Sequence, residues 1–101
     1  AVQTYLATVG GKLDARRGEV AAGLEQVATG VALMEATDDP SGLGDVLLDR
    51  AEVRWLAGDA RGAADDAAAA LAGYERKGNA LGATRARRAA DRLAGGQDPL
   101  P

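Results

Sequence analysis

The chain has 101 residues, no cysteine, no histidine and a net charge of −3 at neutral pH. That length is one domain with a modest core. The missing residue types exclude disulfides, imidazole bases, thiol nucleophiles and the common zinc ligand sets, and the acidic balance disfavours a general nucleic-acid binder. No apolar run approaches the roughly 20 residues of a membrane span, and there is no basic, hydrophobic leader.

Apolar residues make up 47% of the chain, yet 24 of all residues are alanine and none is phenylalanine. Alanine loses no side-chain entropy in a helix and lets backbones approach closely, so this composition argues for an all-α fold. No stretch alternates apolar and polar residues over a strand length. Arginine outnumbers lysine ten to two, a codon habit of high-GC genomes that carries no function. The chain opens at Ala1 inside a helical pattern, which suggests a piece cut from a longer protein.

Residues 1 to about 17 read as a first helix, weakened by Gly10 and Gly11, each costing about 1 kcal/mol against alanine. Close contact with a neighbouring helix explains the glycines. A phosphate loop around Gly11-Lys12 fails, because Leu6 and Leu13 stand where its first glycine and its Ser or Thr belong. Gly18 breaks this segment. A second helix follows from about Glu19 to Ala36, with Val20, Leu24, Val27, Val31 and Met34 on one face. Thr37 to Gly42 reads as a turn, with Ser41 placed to cap the next helix.

The third helix, about Gly42 to Ala57, is apolar on nearly every side, as a helix sandwiched between neighbours must be. Gly58 turns the chain and Asp59 caps a fourth helix, about Ala60 to Lys77. That helix carries Ala63, Ala67, Ala70, Leu71 and Tyr74 along one stripe. Arg76 and Lys77 suit its C-terminal dipole, Gly78 a left-handed cap and Asn79 the next N-cap. A fifth helix, about Ala80 to Ala94, ends at Gly95-Gly96, and residues 95–101 are expected to form a frayed tail.

The chain repeats itself. A shift of 40 pairs Gly18 with Gly58, Val31 with Leu71, Met34 with Tyr74 and Glu35 with Glu75. A shift of 38 pairs Leu43 with Leu81, Gly44 with Gly82, Arg50 with Arg88, Arg54 with Arg92 and Gly58 with Gly96. Two registers agreeing on nearly one period argue for a stack of helical hairpins, each burying its face against the next.

The central hairpin resembles a tetratricopeptide repeat through Ala51, Gly58, Ala63, Ala67 and Ala70. Arg50 and Arg54 replace its expected leucine and tyrosine, Glu75 stands where proline is common, and the period exceeds the usual value of about 34. The stretch LLDRAEVRWLAGDARGAADDAAAALAGYERKGN is similar to terminal repeats of large bacterial signalling ATPases with adenylyl cyclase or helix-turn-helix output domains. The resemblance spans roughly residues 16 to 94. It implies a cytoplasmic sensing or protein-contact region, tied to signalling or transcription regulation, whose chemistry lies in other domains.

Few side chains suggest chemistry. Ser41 has no base beside it. The pairs Asp38-Asp39 and Asp65-Asp66 lack metal-site spacing and are read as solvated. Trp55, the only tryptophan, is read first as a core or inter-hairpin residue and second as a groove contact. Arg50 and Arg54 repeat as Arg88 and Arg92, with Arg85 extending the row. The preferred reading is pairing with nearby carboxylates such as Asp49, Asp65, Asp66 or Asp91, the alternative an anion grip.

The sequence therefore predicts an all-α, tetratricopeptide-like hairpin stack of five helices over residues 1–94, followed by a tail. It points to a non-enzymatic interaction or scaffold module with no cofactor. The first, third and fifth helices would form a concave face. There Tyr5, Lys12, Leu48, Glu52 and Trp55 would meet a peptide, a partner protein or a neighbouring domain of the same chain. The alternatives are self-association into a homo-oligomer through the end helices, and an anion or nucleic-acid binder using Arg50, Arg54, Arg85, Arg88 and Arg92.

Overall fold

Helix signals this explicit leave little freedom to the chain. The structure, a computed structural model, describes residues 2–101, with side chains from Ala7 onward. It contains α1 (Val2–Arg16), α2 (Val20–Glu35), α3 (Pro40–Leu56), α4 (Ala60–Lys77) and α5 (Ala80–Ala94), and no strand among the described residues.

The helix ends repeat one device. Gly18, Gly58, Gly78 and Gly96 take left-handed backbone angles, with φ between +73° and +89°. After each, the next N–H reaches back to a carbonyl five residues earlier, at 2.8 Å: Glu19 to Asp14, Asp59 to Arg54, Asn79 to Tyr74 and Gln97 to Arg92. A residue with a Cβ would be strained there, which is why glycine punctuates the chain. Three helix starts are equally regular. Asp39, Asp59 and Asn79 accept the N–H of Gly42, Gly62 and Gly82 at 2.8–2.9 Å. Asp59 and Asn79 are the expected caps. The cap of α3 is Asp39 and not Ser41, because Pro40 starts the helix at a position where its missing N–H is harmless. Ser41 instead accepts a hydrogen bond from the Asn79 amide at 3.3 Å.

Consecutive helices pack as hairpins, and α3 touches all four others. That is the sandwiched position its all-round apolarity required. α1 and α5 each pack on α3, whereas α2 and α4 make no contact with each other. The helices therefore form two layers, α1-α3-α5 drawn together and α2-α4 splayed apart, in a slab of 35 × 33 × 18 Å. The layer whose helices converge is the inner, concave one.

Small residues allow these approaches. A Cβ on Gly11 would lie 2.9 Å from Val27 Cγ1, and one on Gly23 would lie 2.7 Å from the Gly11 carbonyl. Removing both side chains brings α1 directly against α2, the contact expected of the weak first helix. The core follows the seams. Val31, Val46, Leu47, Ala70, Tyr74, Ala83 and Ala86 fill one cluster, Ala51, Ala63, Ala67, Ala89 and Leu93 a second, and Ala15, Val27 and Val53 a third.

The tail does not fray. Asp98 pairs with Arg16 on α1, Pro99 is buried, and Arg92 of α5 donates to the carbonyls of Asp98 and Leu100. These contacts seat the segment against both α1 and α5.

Candidate functional site

The inner layer carries a groove of about 620 Å³. Lys12 of α1, Leu48, Asp49 and Glu52 of α3, and Arg85, Arg88, Ala89, Asp91 and Arg92 of α5 line it, and Pro99, Leu100 and Pro101 lie along it. Three elements and the segment after α5 thus meet on one face.

The α1–α3 side is built from ion pairs at successive turns. Lys12 Nζ stands 3.0 Å from Asp49 Oδ1, and Arg16 Nε donates to Glu52 Oε2 at 3.0 Å. Lys12 and Glu52, both expected on the concave face, are there, but each is paired within the chain. Leu48 provides apolar floor and also packs against the core beneath. The Tyr5 side chain lies outside the described residues.

Trp55 is not part of the groove lining. It is half-buried against the alanine cluster formed by Ala51, Ala63, Ala67, Ala89 and Leu93. There it covers alanines of α4 and α5 at the seam between the hairpins.

The arginine row is divided between two faces. Arg50 grips Asp66 of α4 with two hydrogen bonds, Nη2 to Oδ1 at 2.9 Å and Nε to Oδ2 at 3.1 Å. Arg54 Nη1 adds a third at 3.0 Å. The Asp66 side chain is only 4% exposed, so its solvated reading fails, while Asp65 is exposed. A buried carboxylate requires such partners. The first hairpin carries a polar pair at the equivalent place with donor and acceptor exchanged: Gln26 of α2, 40 residues before Asp66, donates its amide to the Asp14 carboxylate of α1.

Arg85, Arg88 and Arg92 remain on the groove. Arg85 lies 3.6 Å from the exposed Asp45, a weak contact, and Arg88 makes no ion pair among the described residues. Arg92 is committed to main-chain carbonyls, Nε to Asp98 at 2.7 Å and Nη2 to Leu100 at 3.4 Å. Sequence reasoning missed Arg16. Its Nη1 and Nη2 hold both Asp98 oxygens, at 2.7 and 3.1 Å, while its Nε holds Glu52.

These contacts reinforce the charged forms of two groups. Burial pushes the Asp98 carboxyl up, but the Arg16 hydrogen bonds, the Leu100 N–H and the charges of Arg16 and Arg92 outweigh it. The group stands below its ordinary range. Arg16 is raised, chiefly by its bond to Asp98. The arrangement can hold an anionic, non-helical segment against a cationic edge. No helix among the described residues is long and apolar enough to cross a membrane. No protein-family model, no curated protein and no solved structure matches the chain.

Proposed function

We propose that this chain is a non-enzymatic protein-interaction module of tetratricopeptide-like type, whose inner face takes an acidic, non-helical peptide of another protein or of a neighbouring domain. One observation carries the reading. The groove between α1, α3 and α5 combines an apolar floor at Leu48 and Ala89 with a cationic edge on α5, where Arg88 has no carboxylate partner among the described residues. An unpaired guanidinium beside apolar surface suits a carboxylate followed by a small apolar side chain. By its resemblance to repeats of bacterial signalling ATPases, the chain is read as a regulatory segment of a larger cytoplasmic protein, with the output chemistry elsewhere.

An array of short acidic peptides probed with the full chain tests this. Binding should be selective for peptides pairing Asp or Glu with Pro or Leu, and Arg88→Glu should weaken it at least about tenfold, as loss of a charge-assisted contact does. Binding that ignores Arg88→Glu, or no binding at all, contradicts the reading.

A further inference from the structure

The segment after α5 lies on the surface proposed to bind a peptide, and it is held there by specific chemistry. Arg16 addresses the Asp98 carboxylate with both terminal nitrogens, and its Nε bond to Glu52 orients the guanidinium in advance. Arg92 addresses main-chain carbonyls at Asp98 and Leu100, two residues apart, a contact that needs no particular side chain. The Pro99 ring is buried, and the Leu100 N–H closes on Asp98 Oδ1 at 2.9 Å, bending the chain at the proline. Pro99 and Pro101 restrict the backbone on both sides of Leu100, so little freedom is lost on seating.

Among the described residues, α1 and α5 make no direct contact. The Arg16–Asp98–Arg92 relay is what connects them across α3. Yet the hold is slight: one ion pair, two main-chain bonds and one buried proline, with Leu100 still 52% exposed. Such a contact persists because the segment is tethered at an effective concentration on the order of millimolar. A free peptide with the same groups and additional contacts could replace it.

We infer that residues 97–101 are a built-in occupant of the groove, and that the partner is a segment of the same chemistry, a carboxylate followed by proline and an apolar residue, which displaces them. The inference rests on the groove being a peptide site and adds its specificity and its regulation. The bound segment leaves Arg88 free, so a longer acidic partner gains a contact that residues 97–101 do not use.

The test uses the full chain and a fluorescein-labelled Gln-Asp-Pro-Leu-Pro peptide, read by anisotropy at low salt. Asp98→Ala frees the native segment. Pro99→Ala, which removes the buried ring, is the second releasing variant, and circular dichroism confirms that each is helical. A segment seated about 90% of the time lowers apparent affinity about tenfold. Asp98→Ala should therefore bind the labelled peptide at least about tenfold more tightly than the unmodified chain, and a peptide with Ala in place of its Asp should bind neither. Folded variants that bind no more tightly than the unmodified chain overturn the inference. So does an unmodified chain that sediments as a dimer dissociating in Asp98→Ala, since the segment then sits on a second copy. If the variants bind acidic array peptides but not this one, the groove reading stands and this inference alone falls. If they bind neither, both fall.

Discussion

Tyr74 donates its hydroxyl to Asp45 Oδ1 at 2.5 Å while its ring, fully buried, lies between two glycines, Gly44 of α3 and Gly82 of α5. A Cβ on Gly44 would stand 2.8 Å from the ring's Cζ, and one on Gly82 would overlap the ring. In a core otherwise made of aliphatic side chains, many of them alanine, this aromatic joins three helices. Tyr74→Ala should cost about 3–5 kcal/mol, as aromatic-to-alanine changes in cores do. Gly82→Ala should cost about 1–3 kcal/mol by overpacking. Tyr74→Phe should cost only about 1 kcal/mol, the net worth of one hydrogen bond. Denaturant midpoints at constant slope check the order.

The same tyrosine sets an alkaline limit. Burial, and then its bond to Asp45, raise the hydroxyl well above its ordinary value. A group whose pKa is raised by folding contributes stability that is complete below its unfolded value of about 10 and lost as pH climbs beyond it. Thermal unfolding of the native chain should weaken progressively above about pH 10. In Tyr74→Phe that part of the decline should be missing, leaving a shallower slope.

Asp66 should prove the most sensitive carboxylate. Asp66→Ala leaves Arg50 and Arg54 facing α4 without their acceptor, and breaking buried charge networks of this kind costs about 3–5 kcal/mol. Both arginines retain partial solvent exposure, which places the loss nearer the lower figure. Asp65→Ala, one residue away and exposed, should stay within about 0.5 kcal/mol. The pair of substitutions in parallel melts separates burial from charge.

Acid should release the segment after α5 before it unfolds the helices. Folding lowers the Asp98 pKa, so its contribution is complete above the unfolded value of about 3.9 and is lost as pH falls through the lower folded value. A spin label on Gln97 should therefore broaden amide signals around Lys12 at neutral pH. As pH falls below about 4 those signals should recover while helical dichroism persists.

Most of the architecture was legible because its signals are local. Four glycines mark the helix ends, Asp59 and Asn79 mark helix starts, and the doubled repeat shows which faces must meet. α4 and α5 begin and end at the expected residues. What escaped is long-range. Arg16 and Asp98 are 82 residues apart, and no periodicity brings them together. Ser41 outranked Asp39 as a cap because the start of α3 was placed two residues late, past Pro40. Asp66 read as solvated because exposure is the ordinary state of an aspartate. The repeat held the missing signal, since the equivalent Gln26 sits off the apolar stripe at the same inward position. Trp55 divided between core and groove because helix phase alone does not show what a neighbouring helix leaves empty. Lys12, Leu48 and Glu52 lie together on the groove because they share the inner face of α1 and α3.

That the inner face is the binding surface is tested most directly by amide chemical-shift mapping of the isotope-labelled full chain. The titrant is the strongest acidic peptide from the array. The expected perturbations centre on Leu48, Arg88 and Ala89, with signals of residues 97–101 shifting toward positions typical of a free segment. Perturbations confined to the outer helices α2 and α4, or to the exposed Leu33 and Leu81, would contradict it.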